Sequence, residues 1–350
     1  MALAQDELAM LRETTRSWIE DNAPVARFRA LRNAGQTSDA VARTGLEELG
    51  WGEALTGEAL GGQDLGMSAA VVLAEECGRQ LVAVPLAQGI VGAALALNLA
   101  GERADPAAVL ALDSVVPTRL AKADQAGGLT LSGSLQFVPG IDAASRVLVP
   151  AGSGGEVRLV SIPASSLAAS PRRLVDSLAY ATLDFAAADL TGTTVLPRAI
   201  TPEAFAWLLD CVLVAAAAEM LGAAQRAFEI TVDYLKVREQ FGKRIGSFQA
   251  LQHRASHMLC QLETLRAVIE AAALAADERS PELSRLATMA KALAGETSRL
   301  VMAESLQFHG GIGMTDEHDI GLYFKRGRVT EFLLGDGLWH RRRYADLCGL

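Results

Sequence analysis

The sequence has few aromatic residues and no excess of positive charge. Phe, Trp and Tyr together make up 5% of its 350 residues, and the formal net charge is −9. A nucleic-acid-binding protein needs a basic face toward the phosphates, so this charge argues against a nucleic-acid partner. A local basic site for a phosphorylated cofactor is still compatible with it. Alanine is the main hydrophobic residue, which favours helices packed close together.

The four cysteines form no recognisable metal or redox motif. Cys77, Cys211, Cys260 and Cys348 include no C-x-x-C pair, so neither a zinc site nor a redox centre is expected. The N-terminal stretch MALAQDELAMLRETTRSW lacks the apolar run of a signal peptide. The apolar run at 211–218 ends at Glu219 and is much shorter than a membrane-spanning helix. We therefore expect a cytoplasmic protein without a bound metal or a membrane-spanning segment.

The sequence divides into three zones that differ in hydrophobic period. Residues 1–104 and 198–350 have apolar residues at three- and four-residue spacing, the pattern of helices. Residues 105–197 contain short apolar stretches bounded by Gly, Pro, Asp or Ser, such as VLAL, RVLVPA and VRLVSI. These zones predict a mainly α protein: an N-terminal helical domain, a small β domain expected to be an antiparallel barrel or sandwich, and a C-terminal four-helix bundle.

Helix boundaries in the last zone carry strong signals. The residues TPE at 201–203 combine an N-cap, a proline at the first helical position and an acid in the first turn. They predict a helix that continues to about residue 236. The residues SPE at 280–282 repeat the signal, and a last helix is predicted over 320–333.

Two segments of this zone are richer in basic and glycine residues than a helix connection requires. The first, VREQFGKRIGSFQALQH at 237–253, offers the guanidinium of Arg238 to a phosphate and the ring of Phe241 for stacking. A basic helix end with a glycine cap is the alternative interpretation. The second, LQFHGGIGMTDEHDIGLYFKR at 306–326, has three glycines within four residues, which let a ligand approach backbone amides.

Together these segments resemble the acyl-CoA dehydrogenase family. R-x-Q-F-G-x-x-I-x-x-F-Q-x-x-Q-H, followed at this distance by Q-x-H-G-G-x-G, is a specific pair of motifs. The order of helical, β and helical zones also matches, and the stretch SAAVVLAEECGRQLVAVPL is similar to the first domain of the family.

The resemblance implies a non-covalent FAD and an oligomer. In the family, the arginine and phenylalanine of the first motif hold the ADP portion of the flavin, and the glutamine and glycines of the second complete that site from a neighbouring subunit. In the family, a strand with a tryptophan lies beside the flavin ring. The corresponding stretch here, GSLQFVPG, has no tryptophan and leaves Phe137 to contact the ring. The residues implied to bind the cofactor are Arg238, Gln240, Phe241, Gln307, Gly310, Gly311 and Phe137.

The implied reaction is α,β-dehydrogenation of an acyl-CoA thioester. A carboxylate in a dry pocket removes the α-proton while the β-hydride passes to flavin N5. The resemblance also implies an electron-transfer flavoprotein as the electron acceptor, and assembly with a second copy or with another acyl-CoA dehydrogenase-like chain.

The sequence departs from the family where the catalytic base is expected. After the last helix it reads EFLLGDGLWH, so the base position falls on Leu334 or Gly335, and Asp336 is the nearest carboxylate. The alternative base position of the family, on the first helix of the bundle, falls near Val212. The middle domain also lacks the Thr-Glu-Pro and Gly-Ser-Asp elements of the family.

Several interpretations therefore stay open. Asp336 acts as the base on a shifted loop, or the chain is the FAD-binding partner in a heteromeric dehydrogenase. Asp210 and Glu219 lie on the first bundle helix, on faces that the sequence does not determine. A flavin-dependent monooxygenase or oxidase on the same scaffold, and a non-catalytic partner subunit, are the further alternatives. The arginines at 341–343 are either a solvated helix end or a contact for cofactor phosphates.

Overall fold

Helices dominate the structure, a computed structural model that describes residues 3–124, 130–153, 155–167, 169–187 and 191–350. The helices are α1 (Gln5–Asn22), α2 (Val25–Asn33), α3 (Ala40–Glu48), α4 (Trp51–Ala54), α5 (Gly66–Arg79), α6 (Gly92–Ala100), α7 (Pro202–Val237), α8 (Gln249–Asp277), α9 (Leu283–His309), α10 (Ile320–Thr330) and α11 (Gly337–Leu347). The order of a helical zone, a β zone and a second helical zone confirms the predicted fold class.

Short strands make up the middle zone and one hairpin of the bundle. They are β1 (Ala108–Leu110), β2 (Ala121–Asp124), β3 (Thr130–Ser132), β4 (Ser134–Pro139), β5 (Arg146–Ser153), β6 (Glu156–Pro163), β7 (Ser170–Arg173), β8 (Ala179–Asp184), β9 (Thr194–Val195), β10 (Glu239–Gln240) and β11 (Lys243–Arg244). Buried residues of both middle-zone sheets, such as Val147, Val160 and Leu183, share a hydrophobic core of their own.

The pairing of these strands is less uniform than expected. One sheet has the order β3-β2-β5-β6-β9, and the other has the order β4-β8-β7. Most neighbours are antiparallel, including β5 with β6. However, β1 and β2 both pair with β5 in parallel, so a purely antiparallel domain was a wrong expectation. Short apolar stretches predict strands but carry no information on direction, which the connections between them decide.

The long helices of the last zone run alternately up and down. The indole of Trp207, near the start of α7, donates to the carbonyl of Ala276, near the end of α8. At the opposite end, the ring of Tyr234 on α7 stacks on the ring of His309 on α9, with centroids 4.5 Å apart. Helices α7 and α9 are therefore parallel, and their C-terminal ends lie side by side.

The N-terminal helices pack directly on this bundle through small residues. A Cβ atom on Gly78 of α5 would lie 2.0 Å from the carbonyl oxygen of Glu219 on α7. A Cβ on Gly222 of α7 would lie 1.9 Å from the carbonyl oxygen of Glu75 on α5. The two backbones thus cross in contact, which only glycine permits. This confirms the close helix packing expected from the composition.

The helix boundaries agree with the sequence signals at one end and differ at others. The hydroxyl of Thr201 caps α7 by accepting from the amide of Ala204 at 3.2 Å. Helix α9 starts at Leu283, two residues after the predicted proline, because Ser280 and the following residues form a turn. The predicted last helix ends at Thr330, and α11 is a separate helix beyond it.

Within the described residues, α7 is the one helix long and apolar enough to cross a membrane. The mean hydropathy of its most apolar window is 1.9, but 72% of that window is buried inside the protein. This burial is what the central helix of a folded bundle requires, because its apolar face packs on α5, α8 and α9.

Candidate functional site

An open cavity of about 710 Å³ lies where the three zones meet. The N-terminal helical zone contributes the turn at 37–38 and the stretch at 83–88, and the β zone contributes 139–140 and 178–180. Residues from α7, α9 and α10 and from the loop after α10 complete the wall. The wall is mainly apolar with a few charged groups, as in most small-molecule sites.

Glu219 is the only carboxylate among the described residues that line this cavity. Its side chain is 19% exposed, and Nη1 of Arg326 lies 3.6 Å from its Oε1. Burial raises the pKa of Glu219 to about 6; Arg326 opposes this rise and Asp176 adds to it. The sequence did not reveal whether Glu219 lies on a packed face of α7 or on the face toward the cavity. The neighbours that cover each face of the helix decide this.

The backbone after α10 is held in place by three polar contacts. The amide of Gly335 donates to the carbonyl of Ser114 at 2.9 Å, and Nε2 of His340 donates to the carbonyl of Leu334 at 2.9 Å. Burial lowers the pKa of His340 to about 3, so the ring is neutral. Nζ of Lys291 lies 3.3 Å from the carbonyl oxygen of Gly335. The loop thus presents the side chain of Leu334, and no carboxylate, to the cavity.

Asp336 follows this loop and is exposed. It is the N-cap of α11, and its Oδ1 accepts from the amide of Trp339 at 2.8 Å. It is not among the residues that line the cavity. Its role as the base stays a prediction that would require the side chain to leave this cap.

Phe137 lies on β4 next to the cavity wall formed by Pro139 and Gly140. Its backbone is left-handed, with φ of 52°, at an irregularity in the pairing of β4 with β8. The hydroxyl of Ser114 donates to its carbonyl at 2.8 Å. Because Ser114 also accepts from Gly335, one turn connects Phe137 to the loop after α10. A non-glycine residue in this conformation is strained and typically marks a functional position.

The first predicted motif forms a two-stranded hairpin at the end of α7. Strands β10 and β11 pair antiparallel, with Phe241 and Gly242 as the two-residue loop. Both loop residues have positive φ, 55° and 75°, as the tightest hairpin turns require. A phenylalanine is unfavourable there, and its ring is 91% exposed. Exposure and strain together indicate a side chain that contacts something outside this chain.

Arg238 and Gln240 precede this loop, and both are exposed. Arg238 is the C-cap of α7, and its guanidinium has no hydrogen-bond or ion-pair partner among the described residues. Gln240 donates to the carbonyl of Glu239 at 2.8 Å. An unpaired arginine next to a strained aromatic residue is suited to binding a phosphate and a ring together.

The second predicted motif lies at the same end of the bundle. Gln307 is exposed near the end of α9, and Gly310 and Gly311 follow in a 3-10 turn. A Cβ on either glycine would meet nothing within 4 Å, so the backbone there is open. Because α7 and α9 end side by side, the two motifs lie at the same end of one bundle. Completion of the site by a neighbouring subunit, which the resemblance implies, stays a prediction.

Other predicted residues have structural partners instead. Asp210 on α7 is buried and accepts a hydrogen bond from the guanidinium of Arg343. Of the three arginines at 341–343, Arg343 therefore has a structural partner, whereas Arg341 and Arg342 are exposed. The buried Val212 lies beneath α6, close to Gly92.

Helix α8 carries an H-x-x-x-H spacing, formed by His253 and His257. Across the described residues, no three His, Cys, Asp or Glu side chains come together in a metal-binding group.

Comparisons with known proteins cover nearly the whole chain. The family model for the acyl-CoA dehydrogenase N-terminal domain matches residues 5–110, and the model for the C-terminal domain matches residues 208–346. The acyl-CoA dehydrogenase IpdE2 of Mycobacterium tuberculosis strain H37Rv is 34% identical over 331 residues, which are 94% of this chain and 93% of that protein.

Solved structures give the same picture. A structure of the Tcur3481-Tcur3483 steroid ACAD G363A variant is 30% identical, covers 98% of each chain and has a TM-score of 0.85. The ChsE4-ChsE5 complex from Mycobacterium tuberculosis has a TM-score of 0.87, covers 99% of this chain and 98% of the other, and is 23% identical. At that identity the second comparison supports the fold alone.

Proposed function

This chain belongs to the acyl-CoA dehydrogenase family, and we propose that it binds FAD and takes part in α,β-dehydrogenation of an acyl-CoA thioester. The observation that carries this proposal is the grouping of Arg238, Phe241, Gln307 and the glycines 310–311 at one end of the bundle. Residues far apart in sequence are exposed together there, and the first of them has no partner within the described part of the chain.

The residues at this end fit the ADP portion of FAD. The free guanidinium of Arg238 suits the pyrophosphate, the exposed ring of Phe241 suits a flat heterocycle, and Gln307 offers an amide. The open backbone at Gly310 and Gly311 would admit the cofactor at close range. Phe137, strained and near the cavity, is the proposed contact for the flavin ring. When bound, FAD supplies the hydride acceptor of the reaction.

The cavity of 710 Å³ is the proposed acyl site. Its apolar wall, formed by residues such as Leu86, Ala216 and Met220, excludes water from an acyl group. The exposed part of the substrate, the CoA moiety, would extend outward past the β zone.

Asp336 is the proposed proton acceptor from this chain, because it follows Leu334 and Gly335 directly. To act, its carboxylate must leave the amide of Trp339 and turn toward the cavity. Loss of an N-cap contact costs about 1 kcal/mol, which substrate binding can supply. Catalytic contacts are often incomplete before substrate binds. If a second chain supplies the carboxylate instead, this chain is the FAD-binding partner.

We further propose assembly with a second acyl-CoA dehydrogenase-like chain and electron transfer to an electron-transfer flavoprotein. The 30% identical structure is named for two proteins, Tcur3481 and Tcur3483. The strongly exposed Phe241 is suited to contact such a neighbour or a cofactor shared with it.

The test is purification of the chain alone and co-expressed with its genomic neighbours of the same family. We expect a yellow protein with a flavin absorption spectrum that bleaches with an acyl-CoA. Arg238→Ala should weaken FAD binding by about tenfold to a hundredfold, the usual contribution of one charge-assisted contact. Binding is measured by fluorescence quenching of added FAD.

The matched control is Arg172→Ala, which removes an exposed arginine on β7 that has no side-chain partner among the described residues. It should leave FAD binding unchanged. A protein that stays colourless with FAD and with every co-expressed partner, or equal FAD affinity in both variants, contradicts the proposal.

A further inference from the structure

The cavity contains a charged cluster that the proposed reaction does not use. Glu219 from α7 and Arg326 from α10 both line the cavity. Behind them, Asp176 is buried and lies 3.4 Å from Nε of Arg326. The hydroxyl of Tyr180, on the same wall, donates to Asp176 at 2.8 Å.

The hydrogen-bonding capacity of this cluster is not filled within the described residues. The carboxylate of Glu219 accepts no hydrogen bond from them, and 3.6 Å to Arg326 is too long for one. Arg326 is 3% exposed, and its Nε and Nη2 have no hydrogen-bond partner there. Buried donors without an acceptor are rare in folded proteins because they have lost water and gained nothing in return. A polar ligand group would complete the cluster.

The charges limit what that group can be. Arg326 carries one positive charge, whereas Glu219 and Asp176 carry two negative charges when ionised. A substrate carboxylate placed beside Glu219 would therefore meet net repulsion from this cluster, although Lys291 adds a second positive charge elsewhere in the cavity wall. A hydrocarbon chain would leave both partners unsatisfied. A neutral hydroxyl can donate to Glu219 and accept from Arg326 at the same time.

The position of Glu219 places the group away from the thioester. We take the thioester to lie near Val212, the base position on α7 that the family resemblance implies; Val212 is seven residues earlier on the same helix face and is buried beneath α6. Seven residues correspond to two turns, or about 10 Å along α7. The recognised group therefore belongs to the distant part of the acyl moiety.

We propose that Glu219 and Arg326 form a specificity site that binds a hydroxyl group on the distant part of the acyl moiety. This inference rests on the proposed function, because it takes the cavity to be the acyl site. The substrate class is then a hydroxylated acyl-CoA, in preference to a simple fatty acyl-CoA or a dicarboxylic one.

The test compares octanoyl-CoA with the same thioester carrying a terminal hydroxyl and with the one carrying a terminal carboxylate. Binding to the purified protein, assembled with its partner chain where one co-purifies, is measured by calorimetry. The kinetic constants kcat and KM are measured by reduction of an added artificial electron acceptor, which reoxidises the flavin. We expect the hydroxyl to tighten binding about tenfold over octanoyl-CoA, a usual gain for hydrogen bonds to charged groups. The carboxylate should bind more weakly than octanoyl-CoA.

Glu219→Gln should reduce the hydroxyl preference to about threefold or less, because the neutral amide is a weaker acceptor. For the hydroxylated thioester it should raise KM more than it changes kcat, as expected for a residue that only binds. Glu203→Gln, an exposed acid on the first turn of the same helix, is the control and should keep the full preference.

Each outcome separates this inference from the proposed function. Bleaching by octanoyl-CoA without a hydroxyl preference, or a preference for the carboxylate, overturns the specificity site and leaves the dehydrogenase function intact. A collapse of kcat in Glu219→Gln also overturns it, because Glu219 would then act on the proton. If no acyl-CoA binds at all, both the function and the site are overturned.

Discussion

Two of the carboxylates on α7, Asp210 and Glu219, differ in almost everything except their helix. Asp210 is 1% exposed, accepts from Ser284 at 2.5 Å and from Arg343 at 2.6 Å, and is covered by α9 and α11. Glu219 has one loose ion pair and lines a cavity. Nine residues separate them, which is two and a half turns, so they lie on opposite faces.

The difference shows how one helix serves both stability and a site. On the Asp210 face, each oxygen has a hydrogen-bond partner, although burial still raises the pKa of Asp210 against the opposing effect of Arg343. On the Glu219 face, the charge is held against a cavity with its compensation incomplete. Unsatisfied polar groups in an otherwise well-packed fold are typically found where a ligand supplies the missing partner.

Removing the compensated carboxylate should have the largest effect on stability. Asp210→Ala leaves the guanidinium of Arg343 and the hydroxyl of Ser284 without their acceptor. We expect a loss of about 3–5 kcal/mol in the free energy of unfolding, the usual cost of breaking a buried ion pair from one side. Urea denaturation followed by circular dichroism measures it.

Asp233→Ala is the matched control, because Asp233 is exposed on the same helix and pairs only with Lys236 at 3.0 Å among the described residues. It should cost less than about 0.5 kcal/mol. Equal losses in both variants would mean that the pairing around Asp210 contributes no more than a surface ion pair.

Substitution of a third carboxylate, Asp336, should change turnover but not stability. Asp336→Asn keeps the N-cap of α11, because asparagine caps as well as aspartate, so stability should change by less than about 0.5 kcal/mol. Turnover should fall by about 10²-fold to 10⁴-fold, the usual contribution of a general base. Both quantities are measured on one preparation.

Unchanged turnover in Asp336→Asn would assign the proton acceptor to another carboxylate, either Glu219 in the cavity or one on a partner chain. A second variant, Trp339→Phe, keeps the amide that Asp336 caps and changes only the neighbouring side chain. It should keep most of the turnover, which shows that the loss in Asp336→Asn is due to the carboxylate.

The smallest effect is expected from substitution of Glu219. This substitution should raise the free energy of unfolding at pH 7, whereas substitution of Asp210 should lower it. Burial raises the pKa of Glu219 to about 6 from 4.5, so the folded state holds this proton more tightly than the unfolded state. Stability from this group is therefore fully present below pH 4.5 and is lost as the pH rises through 6. Burial makes the largest contribution to this shift, Arg326 opposes it and Asp176 adds to it. Glu219→Gln should be about 1–2 kcal/mol more stable than the natural protein at pH 7.

Thermal unfolding at about pH 4 and about pH 7 checks this prediction. The advantage of Glu219→Gln should be present at the higher pH and close to zero at the lower one. An advantage of the same size at both values would contradict a titrating, uncompensated carboxylate.

Much of the fold was readable from local sequence. The N-cap at Thr201, the end of α7 near residue 236 and the hairpin turn between β5 and β6 follow from short-range propensities, although Gly154 of that turn lies outside the described residues. The two motifs at 237–253 and 306–326 indicated the family, which the comparisons confirm. The predicted last helix over 320–333 ran past the end of α10 at Thr330, and α11 was not predicted as a separate helix.

What the sequence by itself determined was the order of helices and strands and the family, because hydrophobic period, caps and turn residues act over a few positions. Only the tertiary structure decided that Asp210 is buried while Glu219 lines the cavity, and that both motifs lie at one end of one bundle. The face a helix buries depends on neighbours far away in the sequence, and the pKa of a carboxylate depends on what those neighbours bring.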